Sequence, residues 1–378
     1  MMESSDLLAK QESFLSDRLY SLDALRGFDM FWIMGAEEVV HGLSEMTHAP
    51  FFETFSNQLR HPSWNGFTFY DLIFPLFIFL AGVSTPYSIG KALEKGISKQ
   101  VLLRKILLRG FVLTVLGIIY NNGLGIRPLE DVRFSSVLGR IGMAYMLANV
   151  IFLYAKQAWL IFWFSFLLIM YYLILKFTSA PGFPAGDLTM PGNFASYVDR
   201  MILPGKLSKG IHDTVGFFNH IPAISNALAG IMVGVFLRKS KLDGNKKTVY
   251  LLVAGCISLI LAQLWNLDFP INKNLWSSSF VMQTVGLSLL LFALFYYVID
   301  VLGYKKWAFF FQVIGVNSIL IYLSDKFIDW EFTAKHLFEW LYFWSGESGS
   351  LVGAALSVLV LKWLFLRFLY QKKIFLRV

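Results

Sequence analysis

His61 opens the turn His61-Pro62-Ser63-Trp64-Asn65-Gly66, and Asp71 follows within the run Phe67-Thr68-Phe69-Tyr70-Asp71-Leu72-Ile73-Phe74-Pro75. An imidazole exchanges protons near neutral pH, and a carboxylate set in apolar sequence is costly enough that it usually marks function. Together they are suited to removing a proton from an amine or a hydroxyl. Upstream, Asp23, Arg26, Asp29, Glu37 and Glu38 share a largely apolar stretch. Asp23, Arg26 and Asp29 recur every third residue and can pair along one helix edge, so a structural ion cluster explains them as readily as a ligand site. Glu37 and Glu38 lie near the far end of that stretch, where a carboxylate could act as base or accept a hydrogen bond from an amine. A pair reaching for interfacial water is the plainer account of Glu38. Arg140, just inside the run from Val137, could meet a phosphate or pair with Asp71 or Asp23. The segments Asn272-Lys273-Asn274-Leu275-Trp276-Ser277 and Gly315-Val316-Asn317-Ser318 put polar groups at helix ends, where hydrogen bonds within a bundle are the ordinary explanation.

Other chemistries have less support. Glu37 or Glu38 with His41 on one helical face, plus His61, offers oxygen and nitrogen ligands, but no zinc-type spacing such as HExxH is present, and no metal is expected. Cys256 stands alone in an apolar run, which leaves neither a disulfide framework nor a thiolate metal cluster, and with no basic neighbour to lower its pKa it has less support still as a nucleophile.

The elements that must hold these residues follow from composition. The chain of 378 residues is 56% hydrophobic and only 15% charged, with 37 Phe and 11 Trp, whereas soluble domains carry about 25% charged residues. This is membrane composition. The net charge of +8 is spread between apolar spans and forms no basic stripe with stacking aromatics, so no nucleic-acid partner is expected. About 20 apolar residues cross the hydrocarbon core, which predicts about ten spans near 22–42, 67–89, 102–120, 136–155, 157–176, 217–237, 248–266, 276–300, 307–328 and 350–370. The fold class expected is therefore all-α, a polytopic bundle forming one transmembrane domain over 1–378.

Basic residues concentrate in alternate connections. Lys91, Lys95, Lys99, Arg104, Lys105 and Arg109 flank one, Arg238, Lys239, Lys241, Lys246 and Lys247 another, Lys305 and Lys306 a third, and Lys372, Lys373 and Arg377 close the chain. By the positive-inside rule these face the cytoplasm, as do both termini and the polar tail 1–17, which has no signal-peptide pattern. The loop 178–216 is then external, and its Pro181, Gly182, Pro184, Gly186, Pro191 and Gly192 forbid long regular elements. Gly230 and Gly234 form a GxxxG pair suited to close helix packing.

Ser21-Leu22-Asp23 with Arg26-Gly27, the HPSWNG turn with Asp71-Leu72 and Phe74-Pro75, Val137-Leu138 with Arg140 and Gly142, NKNLWS at 272–277, Asn317-Ser318-Ile319-Leu320 and Lys372-Lys373-Ile374-Phe375 come in an order that resembles the heparan-alpha-glucosaminide N-acetyltransferase family over nearly the whole chain. HPSWNG and NKNLWS are the specific segments; Ser21-Leu22-Asp23 with Arg26-Gly27 is also similar to other membrane acyltransferases. The resemblance implies acetyl-CoA arriving from the cytosolic face, a glucosamine-type, heparan-derived amine at the outer face, a homodimer, and His61 at the position of the catalytic histidine. The lysosomal member has an asparagine where this chain has Glu37, so a carboxylate is expected to share the base's work. The expected catalytic residues are His61, Glu37 and Asp71; the acceptor is expected at Trp64, Asn65, Glu38, Asn274 and Trp276; acetyl-CoA at Arg26, Arg140, Lys273, Asn317 and Ser318. Lack of the family's additional N-terminal luminal region leads us to expect a bacterial inner-membrane relative. The rival expectations are O-acetylation of a cell-surface glycan and proton-coupled transport, the latter disfavoured because no repeat of broken helices is evident.

Overall fold

Within lipid a long apolar chain satisfies its backbone groups by forming helices or a closed barrel. Here it forms helices. The computed structural model describes residues 19–376, the side chains of 341–350 excepted, so the tail 1–17 and Arg377 lie outside the described residues. Helix α1 (Tyr20–Phe31) passes through a wide turn into α2 (Glu37–Thr47), followed by α3 (Pro50–Gln58). Then come α4 (Tyr70–Thr85), which continues through a second wide turn to Glu94, α5 (Lys99–Asn122), α6 (Val137–Tyr154) and α7 (Leu160–Phe177). Helix α8 (Phe194–Ile202) is the one short helix of the long loop, ahead of α9 (His220–Lys239), α10 (Gly244–Asn266) and α11 (Ser278–Tyr296). The chain ends in α12 (Phe309–Gly315), α13 (Ser318–Phe327) and α14 (Trp330–Gln371).

Among the described residues, seven helices are long and apolar enough to cross a membrane: Tyr70–Glu94, Val137–Tyr154, Gln157–Phe177, His220–Lys239, Gly244–Asn266, Ser278–Val301 and Leu351–Gln371. The protein is a polytopic integral-membrane protein. Three further segments predicted as spans are helical but differ in kind. Gly35, at φ 132°, breaks 22–42 into α1 and α2 in a conformation that favours glycine. The segment 102–120 lies in α5, which carries Lys99, Arg104, Lys105 and Arg109 in its first half. The segment 307–328 is interrupted between α12 and α13 at Val316 and Asn317. The wide turn at Trp32–Ala36 leaves the Met34 carbonyl to accept from Lys362 Nζ at 3.0 Å, and that ammonium also pairs with Asp325 at 2.7 Å. The Trp330 ring lies 5.5 Å from that of Phe365, so α14 doubles back rather than running straight.

The connections gather at two ends. At the basic end, Arg238 pairs with Glu94, Lys239 bonds Gln157, Ser21 N meets Asp300, and Asn317 holds Ile374. At the opposite, capped end, Arg133 pairs with Asp213, Trp64 bonds Leu188, and Lys176 pairs with Asp268. Helix α9 is central, with 72% of its apolar window buried, whereas α10 buries 22% and turns its remaining face to lipid. The GxxxG pair explains the centre. A Cβ at Gly230 would strike the Phe79 carbonyl of α4, and one at Gly82 would strike that of Ala227 on α9. Both contacts are backbone, so relief requires moving a helix. Gly230→Leu is expected to abolish the monodisperse folded peak in detergent chromatography, while Gly125→Ala, whose new methyl group meets open space, leaves it intact.

Candidate functional site

His61 is placed by a turn that cannot move alone. Pro62 and Gly66, the latter at φ 121°, fold the chain back between α3 and α4. Gly66 N then donates to Ile271 O at 2.9 Å, Asn272 Nδ2 to Asn65 Oδ1 at 2.9 Å, and Asn274 Nδ2 to Trp64 O at 3.4 Å. The HPSWNG and NKNLWS segments, 207 positions apart at the Asn65–Asn272 bond, are thus two halves of one structure. Ser277 caps α11 and bonds Pro270 O at 2.8 Å, and Trp276 at φ 52° lets the chain turn into that helix.

At the centre of this structure is Asp71, in the first turn of α4 and fully buried. Its Oδ2 accepts from Thr68 N at 3.0 Å and Thr68 Oγ1 at 3.3 Å. Its Oδ1 faces two basic groups, His61 Nδ1 at 2.7 Å and Lys273 Nζ at 3.3 Å. The His61 side chain is 46% exposed, so the pair joins a buried carboxylate to an accessible imidazole. Burial lowers the Lys273 ammonium to about 8 despite the pull of Asp71. The Tyr70 ring lies 5.0 Å from that of His61, and its hydroxyl bonds Glu37.

A polar cap closes around this pair. Arg140 is wholly buried, with its guanidinium 4.5 Å from the centre of the Trp276 ring and 5.7 Å from that of Phe74. His212, also wholly buried, bonds Ser196 Oγ at 2.7 Å and lies edge-on to Trp64 at 5.2 Å. Burial drives the His212 imidazole down to about 4 and the Asp199 carboxyl up to about 6.

From the basic end a cavity of about 350 Å³ enters between α1, α4, α5, α6 and α13. Arg26, Arg109 and Ser88 line it, together with Phe375 and Leu376 of the C-terminal segment. Along α4 its wall runs from Ser88 to Phe74, roughly 21 Å at about 1.5 Å per residue. Phe74 is one helical turn from Asp71 and packs edge-on against Trp276 at 4.9 Å. Neither His61 nor Asp71 is among the residues lining the cavity, which reaches Phe74, and Phe74 in turn packs on Trp276.

The structure brings His61, Asp71, Trp64, Asn65, Lys273 and Asn274 together, and places Arg26 and Ser318 on the cavity. Other expected residues fall elsewhere. Trp276 is wholly buried and donates to Asn226 at 3.0 Å, forming an inner wall instead of an open face. Arg140 and Lys273, expected at acetyl-CoA, lie in the capped half. Asn317 bonds Ile374 O and Leu376 N, so it fastens the segment at the cavity mouth. Glu37 joins Tyr70 rather than His61, and Glu38 lines a separate hollow of about 900 Å³ between α2 and α14 with His41 and Lys335. Three groups were missed: Arg109, legible only as a basic residue set in an apolar run, the ring of Tyr70, and the terminal Phe375 and Leu376. No three His, Cys, Asp or Glu side chains among the described residues converge as a metal set.

A histidine–aspartate pair at one end of a polytopic bundle, with a separate arginine-lined cavity that reaches Phe74 one helical turn away, defines a membrane protein with a polar site built into its helix ends. Residues 18–267 match the family model described as "Heparan-alpha-glucosaminide N-acetyltransferase, catalytic", and the chain belongs to that family. It is 29% identical to heparan-alpha-glucosaminide N-acetyltransferase of Mus musculus, over 71% of this chain and 49% of that protein. Against the Homo sapiens protein of the same name it is 30% identical, over 71% and 48% respectively. The chain thus spans about half the length of the curated relatives it matches.

The cap has a pH signature. His212 is neutral when folded, but an unfolded histidine protonates below about 6.5, so its contribution is intact above that pH and is lost as pH falls through about 4. At pH 5 the loss is about 2 kcal/mol. Asp199 leans the other way, since its folded pKa is raised and it binds its proton more tightly in the native cap. His212→Asn is therefore expected to show a smaller fall in melting temperature between pH 7.5 and 5 than the parent, as read by differential scanning fluorimetry.

Proposed function

We propose that the protein is an acetyl-CoA-dependent N-acetyltransferase. It moves acetyl from the side of the basic connections, the cytoplasm, to the amine of a glucosamine-type sugar at the capped, outer face. The observation that carries this reading is the alignment of an arginine-mouthed cavity with the His61–Asp71 pair one turn beyond its end. The diphosphate end of the cofactor would lie by Arg26 and Arg109, with its arm following the apolar wall toward Phe74. Rotation of the Phe74 ring away from Trp276 would join the two compartments.

The chemistry follows from the proton positions. With Asp71 accepting from Nδ1, the lone pair of His61 is on Nε2, the nitrogen that removes a proton from the sugar ammonium or the attacking amine. The amine then bonds the thioester carbon. Asn272 fixes the oxygen of Asn65 and so orients its NH2 group toward the developing oxyanion. Collapse breaks the carbon–sulfur bond, the thiolate takes the proton from His61, and one net proton is released for each ammonium consumed. Direct transfer needs no acyl store on the protein, because the two substrates arrive from opposite faces. We further propose that the chain is one transmembrane domain, works as a homodimer and resides in a bacterial inner membrane with both termini cytoplasmic.

Purified protein is expected to release CoA with glucosamine as acceptor and not with N-acetylglucosamine, which offers only hydroxyls. His61→Ala is expected to lower the rate by about 100-fold or more. Equal rates with the two sugars would replace N-transfer by O-transfer, and full activity of His61→Ala would remove the imidazole from the mechanism.

A further inference from the structure

Resting on that reading, the surroundings of the pair point beyond a simple histidine–aspartate couple. Asp71 has one carboxylate oxygen engaged by Thr68, and the other is claimed by two basic side chains. Lys273 Nζ is also 3.0 Å from His61 Nε2 and 3.2 Å from His61 Nδ1. The lone-pair directions of the two ring nitrogens diverge, so a single ammonium cannot lie on both. Its contact with the ring is therefore chiefly a charge held against the imidazole. The lysine is supplied by the segment 267–277, which the bonds from Asn272 and Asn274 fasten to the HPSWNG turn.

We propose that Lys273 is a positioning residue for His61: its ammonium neutralises Asp71 and keeps the imidazole in the uncharged, Nδ1-protonated form in which Nε2 can accept a proton. A buried carboxylate beside a lone histidine would draw a second proton onto the ring and spend the base before substrate arrives. With Lys273 present the carboxylate already has its cation, and an imidazolium 3.0 Å from an ammonium is disfavoured. The same placement speeds the return of the proton. When Nε2 becomes charged, Nζ is repelled toward Asp71 Oδ1 at 3.3 Å, so the proton taken up is held only transiently and passes readily to the thiolate.

The remaining charged and titratable groups do not duplicate this role. Tyr70 of α4 presents its ring to His61 while its hydroxyl serves Glu37 of α2. Arg140 of α6 repels the Lys273 charge and is directed at Trp276 and Phe74. Lys209 of the long loop is engaged by Asn274 at 3.2 Å. The lysine's own shift is consistent with the arrangement, since burial lowers it to about 8 and leaves it cationic at neutral pH.

The test compares Lys273→Met, Lys273→Gln and Lys273→Arg with the parent, by two readouts. In kcat/KM against pH with acetyl-CoA and glucosamine, the neutral variants are expected to move the acidic limb upward by roughly one pH unit, so that the deficit is largest at low pH and shrinks as pH rises. Lys273→Arg keeps the charge and is expected to keep the limb in place. The second readout is the rate of His61 carbethoxylation by diethyl pyrocarbonate, mapped by peptide mass spectrometry, which requires a neutral imidazole and neither substrate. Its pH midpoint is expected to rise by the same amount in the neutral variants and to be restored by arginine. An unshifted carbethoxylation midpoint in a folded neutral variant overturns the proposal, even if activity falls uniformly through lost structure. A shifted midpoint without acetyl transfer in any variant would uphold the lysine's role and refute the acetyltransferase reading instead.

Discussion

A single buried carboxylate organises the functional half of this molecule. Asp71 lies in the first turn of a membrane helix with no exposed surface, where an unpaired charge is untenable. Its neighbours answer that constraint. Thr68 satisfies one oxygen, His61 and Lys273 share the other, and the segments that deliver His61 and Lys273 are bonded to each other through Asn65, Asn272 and Asn274. Because the carboxylate is held from several directions at once, the geometry is stiff. Stiffness is useful here because an imidazole half open to solvent would otherwise sample many orientations.

The rest of the bundle sets where that carboxylate lies relative to the two faces. Close contacts at Gly82 and Gly230 fix the depth of α4, which carries Asp71 and Phe74, against α9. Gly35 bends the first helical segment and brings Glu37 to Tyr70, while the same wide turn offers Met34 O to Lys362. Wide turns and breaks that shorten apparent spans thus correspond to places where polar groups enter the membrane layer. This is the expected pattern for irregular backbone at such depth, which persists only where protein or a cavity satisfies it.

Much of this was legible in the chain. Apolar runs and basic connections gave the helical bundle and its two ends, because backbone satisfaction in lipid leaves few alternatives. His61 and Asp71 stood out because each is expensive or unusual in its setting. Spacing could not assign Lys273, whose partners are 212 positions away at His61. Trp276 is expected from the sequence at the acceptor but is wholly buried, since nothing local to Leu275-Trp276-Ser277 reveals that Asn226 and Arg140 pack on it. The C-terminal segment was invisible as a cavity component for the same reason, its bonds to Asn317 being purely tertiary.

The proposed chemistry requires one passage from the basic end of the bundle to the histidine at the capped end. A cryo-electron microscopy map of the protein with acetyl-CoA tests for it directly. Nucleotide density is expected by Arg26 and Arg109, with a continuous arm along α4, Phe74 turned aside and the thioester within reach of His61 Nε2. Cofactor density confined to the basic end beneath an undisturbed Phe74–Trp276 wall, in a sample that is turning over, would contradict it.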